Sequence, residues 1–219
     1  MLIWALWNNR NEMLFGSERR NPQLIIGSAC NLRNEFATVD NGSVRDGSFE
    51  FISWTPLSKG VYKLNVDGAI FAKSGSVGLG VIVRDFEGQP IAAASKQVQG
   101  QFPAEIVEAL AFRFVVGFVR DLSLSKVSFE GDCRGVVEAL KLSVANLSSV
   151  GLIIEDIQLA VGHGFNSVGF SHVQRTANMV AHGLARFVRN LDDVQIWLEE
   201  VPASVRNQIH ADLDHCLLL

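Results

Sequence analysis

Hydrophobic and polar positions along the chain divide it into short, alternating runs that predict strands and longer, broader apolar runs that predict helices. Apolar Val61, Leu64, Val66 and Ile70 stand among polar neighbours beside Tyr62, and predict a strand over residues 61–70. A turn with Gly75 and Gly78 follows, then strands over 80–85 and 91–98 separated by Glu87-Gly88-Gln89-Pro90. Turns this close together imply antiparallel hairpins. Pro103 opens a helix over 104–122 whose Ile106, Val107, Leu110, Phe114, Val115 and Phe118 cover most of its faces. A fourth strand is expected over 126–130. Gly131-Asp132-Cys133-Arg134 then turns into a helix carrying Val136, Val137 and Leu140. A further helix over 148–161, with Leu152, Ile153, Ile157 and Val161 as its apolar face, precedes a fifth strand over 165–173 and a helix over 177–188. The order β-β-β-α-β-α-(α)-β-α predicts an α/β (α+β mixed) fold: a five-stranded mixed sheet, hairpins first, flanked by helices on both faces.

The flanks read differently. Residues 1–16 form an amphipathic pattern with Trp4, Trp7, Met13, Leu14 and Phe15, and residues 40–48 are linker-like, so a boundary is expected near residue 50. Residues 1–50 are read as a helix and linker left from a larger polypeptide, 53–190 as the folded domain, and 191–219 as a tail. A hydrophobic fraction of 48% with 19% charged residues is that of a chain with a core. The formal net charge of −4 argues against binding nucleic acid through a generally basic surface. Cys30, Cys133 and Cys216 share no ligand spacing, which favours a reducing, intracellular setting. No stretch approaches the roughly 18 apolar residues of a membrane helix, and the apolar start lacks the flanks of a secretory signal. A monomer is expected, with the terminal segments as the surfaces for any protein partner.

Candidate chemistry rests on acidic residues in apolar settings. Asp67 lies within the first strand, where burial of a carboxylate is costly unless a cation or strong donors meet it, and Gly68 beside it permits close approach. Glu105 and Glu108 share one helical face, and Asp132 follows the fourth strand directly. Each has a plainer reading, as a carboxylate at a strand end or on a solvated helix face. Converging, they would hold hard divalent cations through oxygen, as Mg²⁺ or Mn²⁺ prefers. Two such ions ~3.5–4 Å apart clamp the attacking and leaving oxygens of a phosphodiester. Gly75-Ser-Val-Gly78-Leu-Gly80 echoes a phosphate loop but leads into a strand, so that reading is rejected.

Four stretches, Asn65-Val66-Asp67-Gly68-Ala69, Val107-Glu108-Ala109-Leu110-Ala111, Phe129-Glu130-Gly131-Asp132-Cys133 and Asn178-Met179-Val180-Ala181-His182, occur in the order and spacing of the ribonuclease H motifs. Over residues 53–190 the sequence resembles the ribonuclease H-like superfamily, in the form of the plant reverse-transcriptase-associated domain. The resemblance implies a ribonuclease H-like fold and metal-dependent cleavage of the RNA strand of RNA–DNA hybrids. It places Asp67, Glu108 and Asp132 as ligands of a two-Mg²⁺ site, with Glu108 preferred to Glu105 for its spacing to Asp132. His182 stands where the family has a fourth carboxylate, which weakens the second ion's site and admits Mn²⁺. His172 falls where the family carries a histidine that assists product release or proton shuttling. Gly68, Arg134, Arg175 and Asn178 fall at substrate-contacting positions, and Arg186 is a further basic residue near the site. The implied partner is an RNA–DNA hybrid or RNA. The alternative is a domesticated, catalytically weak nucleic-acid-binding or protein-interaction module.

Overall fold

Strand β1 (Tyr62–Phe71) is central because its two faces are both covered. It pairs antiparallel with β2 (Ser76–Arg84), which pairs antiparallel with β3 (Pro90–Gln99). On its other side β1 runs parallel to β4 (Lys126–Gly131), and β4 runs parallel to β5 (Ser167–His172). The computed structural model describes residues 53–142, 148–188 and 194–216. The helix and linker expected over residues 1–50, and Cys30, lie outside the described residues.

The period of two sorts the side chains by face. Leu64 and Val66 of β1, Val77, Leu79, Val81 and Val83 of β2, and Ala92 and Ala94 of β3 join one core. Helix α1 (Ala104–Asp121) supplies Val107, Phe112 and Val115 to it; α2 (Arg134–Leu142) adds Val136 and Val137, and α3 (Ser149–Gly162) adds Ile154 and Ile157. Ser148 caps α3 by accepting from the Gly151 amide at 3.1 Å. Leu152, expected on the buried face of α3, is 53% exposed; Ile154 takes its place.

The opposite face is covered by α4 (Met179–Phe187), entered through a 3₁₀ turn at Arg175–Asn178. A Cβ added at Gly80 would lie 2.2 Å from the Ala185 nitrogen, and one at Gly78 2.0 Å from the Ala185 carbonyl oxygen. These glycines thus seat the α4 backbone directly on the sheet. This gives the glycine-rich string a packing role, in line with its rejection as a phosphate loop.

The sheet has six strands, not five, in the order β5-β4-β1-β2-β3-β6. The extra strand, β6 (Gln195–Leu198), comes from the segment expected as a tail and pairs antiparallel with β3. Helix α5 (Ala203–Cys216) then places Val205 and Ile209 in a second core with Ile82, Ala93, Val180 and Leu184. Four residues are too few to show a strand period, and β6 is defined by the free edge of β3 rather than by its own pattern.

Beneath α5 lies a chain of buried polar groups. Lys63 meets Glu130 at 2.8 Å, Asn65 donates to Glu130 at 3.1 Å, and Arg84 donates to Asn65 at 3.1 Å and to Asp212 at 2.7 Å. The Trp54 ring stacks on Arg84, 3.9 Å from its guanidinium carbon.

Candidate metal centre

The parallel register of β1 and β4 aligns Val66 with Gly131, which brings the next residues, Asp67 and Asp132, side by side at the carboxyl edge of the sheet. Ligands of open α/β sheets gather at such edges. Glu108 arrives from the first turns of α1. A Cβ at Gly68 would lie 2.7 Å from Val107 Cγ1, so the glycine is what lets α1 come this close to β1. The Gly68 amide in turn donates to the Glu108 carboxylate. One oxygen from each of Asp67, Glu108 and Asp132 lies within 4.8 Å of the others. Glu105 is exposed and faces the start of α2, with an oxygen 3.2 Å from where a Cβ on Gly135 would be.

Three carboxylates cannot all ionise in so small a volume without compensation. Burial, reinforced by the charges of Asp67 and Asp132, pushes the Glu108 carboxyl up to about 9. Burial and the neighbouring Asp67 charge also raise Asp132, with Arg175 opposing. Glu108 Oε2 is buried and has no hydrogen-bond partner. A hard divalent cation answers both features: it supplies the missing positive charge and the missing partner for that oxygen. The residues present therefore fit one such ion.

Around the trio, the remaining expected residues divide. His182 Nδ1 lies 2.8 Å from Asp67 Oδ2; since a carboxylate only accepts, Nδ1 carries the proton. Arg175 Nη2 lies 3.0 Å and 3.1 Å from the two His182 ring nitrogens, and its Nη1 is 3.6 Å from Asp132 Oδ2. His172, paired with Gly131 in the parallel ladder, donates from Nε2 to the Asp132 carbonyl at 3.2 Å. It touches the backbone of the cluster and not its carboxylates. Arg134 and Arg186 are exposed, on α2 and α4. Asn178, expected at a substrate-contacting position, is 1% exposed and donates to the Val66 carbonyl at 2.9 Å. The motif asparagine thus ties the 3₁₀ turn to β1, a structural anchor that keeps His182 opposite Asp67. Gly68 serves as the packing window for α1. Burial raises the thiols of Cys133 and Cys216, which makes both poor nucleophiles.

What sequence reasoning missed is that Arg175 enters the carboxylate cluster itself. Its only signal was a basic residue seven positions before His182, a spacing that a continuous helix would place on the same face but about two turns away along the axis. The 3₁₀ turn brings the two together.

This six-stranded mixed sheet with helices on both faces, and acidic residues at its carboxyl edge, is a ribonuclease H-like fold. The chain belongs to the reverse transcriptase-like family, whose model matches residues 65–188. Among solved structures it is similar to RNase H1 of the halophilic archaeon Halobacterium salinarum, with a TM-score of 0.53 and 19% identity over 57% of this chain and 95% of that one. The N-terminal RNase H domain of a Mycobacterium tuberculosis protein gives 0.52 and 18% over 58% and 91%. An RNase H1 isolated from compost by a metagenomic approach gives 0.52 and 16% over 58% and 94%. No match is found among curated proteins.

Proposed function

We propose that this domain binds nucleic acid at the carboxyl edge of its sheet and, with a divalent cation, hydrolyses RNA in RNA–DNA hybrids. The observation that carries the reading is the convergence of Asp67, Glu108 and Asp132 within 4.8 Å, around a buried glutamate oxygen that lacks a partner. The family to which the chain belongs supports it, as do similar structures named as ribonucleases H.

In this reading Asp67, Glu108 and Asp132 hold Mg²⁺ or Mn²⁺. When bound, the cation would polarise a phosphate and make water a better nucleophile. The chain's own residues orient the site. Gly68 admits α1 and its amide holds Glu108; Asn178 fixes the turn that carries Arg175; His172 steadies the backbone at Asp132. Arg134, Arg175 and Arg186 would meet phosphates. With a formal net charge of −4, binding should need the cation and weaken with salt.

A second reading is a binding domain that cleaves weakly or not at all. It is favoured by the 2.8 Å contact of His182 with Asp67, at the place where the family supplies a fourth carboxylate. Cleavage of a labelled RNA–DNA hybrid in Mg²⁺ and in Mn²⁺, alongside hybrid-binding measurements, separates the two. The first reading expects cleavage that Asp67→Asn abolishes. Hybrid binding without cleavage, restored to cleavage by His182→Asp, gives the second. Absence of both binding and cleavage overturns both.

A further inference from the structure

We infer that the Arg175 guanidinium takes the place of a second cation, so that this chain holds one divalent ion where a two-ion site would hold two. The inference rests on the reading that the carboxylate trio binds a cation, and goes beyond it in assigning the other half of the site to a side chain of the protein.

The geometry is that of a charge seated among would-be ligands. A second ion beside the trio would draw on Asp67, on a neighbouring carboxylate and on the side chain at position 182. Arg175 lies among those groups: Nη1 is 3.6 Å from Asp132 Oδ2, and Nη2 is 3.0 Å and 3.1 Å from the two ring nitrogens of His182. His182 in turn spends its Nδ1 proton on Asp67 Oδ2 at 2.8 Å. Asp67 Oδ2 is therefore already met by a donor, and the imidazole has the guanidinium against it. A bound ion there would have to displace both a fixed positive charge and a hydrogen bond. Its replacement ligand would be a neutral nitrogen, which Mg²⁺ accepts poorly. At Glu108 the guanidinium acts through its charge alone, with no hydrogen bond to the carboxyl. Glu108 Oε2 is without a hydrogen-bond partner, and the carboxyl accepts from the Gly68 amide.

The substitution has a chemical consequence. A guanidinium offers charge and a planar fork of donors, so it can hold a phosphate oxygen. It cannot act as a Lewis acid toward a leaving oxygen. The site should therefore grip a phosphodiester better than it breaks one.

The test counts ions and does not use activity. Mn²⁺ is titrated into the full chain by calorimetry, with unbound Mn²⁺ counted by electron paramagnetic resonance. The variants are Arg175→Ala, His182→Asp and the two combined. Arg175 is 60% exposed in its side chain, so its truncation should leave the fold intact, and a thermal melt without metal checks each variant. Wild type should bind one ion per chain. His182→Asp alone should still bind one, because the guanidinium remains, and the double variant should bind two. Two ions in wild type, two in His182→Asp alone, or one in the folded double variant would each overturn the assignment of Arg175 while leaving the trio as a cation site. No ion in any variant would overturn the trio reading and this inference together.

Discussion

At the scale of single residues, Glu108 is the group whose environment is most at odds with its charge. Its folded-state value of about 9 lies far above the ordinary 4.5 of a glutamate, so the folded domain retains a proton that the unfolded chain releases. The sign follows from that: the stability this proton brings is complete below 4.5 and is lost as pH rises toward and through about 9. In a chelator, the melting temperature of wild type should therefore fall with rising pH across that window. Glu108→Gln should flatten most of the fall, leaving the smaller part due to Asp132, whose value is also raised. It should match or exceed wild type at neutral pH. Added Mg²⁺ or Mn²⁺ should reverse the slope in wild type only, since the ion replaces the proton. Equal slopes in wild type and variant would show that Glu108 is not the strained group. Asp67 was legible in the sequence because an aspartate inside an apolar strand is costly, whereas the choice of Glu108 over Glu105 came from the ribonuclease H motif spacing to Asp132. Asn178 and Arg175 were legible as residues but not in their roles. Whether the 3₁₀ turn sends a side chain inward to the Val66 carbonyl or outward to Asp132 is decided by packing of the turn on β1, which no local pattern records.

Among the elements, the surprise is the second face of β1. Lys63, Asn65 and Asp67 alternate with apolar residues, which in an antiparallel sheet ordinarily marks a solvated face. Here α5 and Trp54 cover part of that face, and the polar side chains pair with one another across β4, β1, β2 and α5, leaving Arg84 Nε and Trp54 Nε1 without a hydrogen-bond partner. The pattern could not reveal this, since Asp212 sits 128 positions from Arg84 and on a segment with no strong apolar stripe. Strands β1 to β5 were legible to within a few residues, because each buries an apolar alternation on the α1 side, whereas β6 was not. A buried pair is costly to break, whatever its net worth when intact. Asp212→Ala leaves Arg84, 0% exposed, without its 2.7 Å partner, and should cost about 3–5 kcal/mol in denaturant unfolding. The combined Arg84→Met, Asp212→Leu variant should recover most of that loss, because no unpaired charge remains. A single-variant loss below about 1 kcal/mol, the level of an exposed pair, would mean that water reaches Arg84.

For the whole molecule, the question is where the folding unit ends. The family match stops at residue 188, and the sequence pattern likewise assigns the rest to a tail. The physical boundary lies further on. Val201, Val205 and Ile209 are buried against Ile82, Ala93, Val180 and Leu184, and β6 covers the edge of β3. Burying three aliphatic side chains of this kind stabilises a fold by about 1.5–3 kcal/mol each. Removing residues 195–219 forfeits that and also strands Arg84 without Asp212. The combined loss is comparable with the 5–15 kcal/mol by which domains are typically stable. The damage should reach the metal centre as well, because α4 carries Val180 and Leu184 toward α5 and His182 toward Asp67. A chain ending at residue 194 should therefore show weak or no cooperative melting, rapid amide exchange in α4 and β3, and loss of Mn²⁺ binding. Should it melt cooperatively within a few degrees of the full chain and still take up Mn²⁺, β6 and α5 are an appendage, and the core over residues 53–188 is sufficient to build the site.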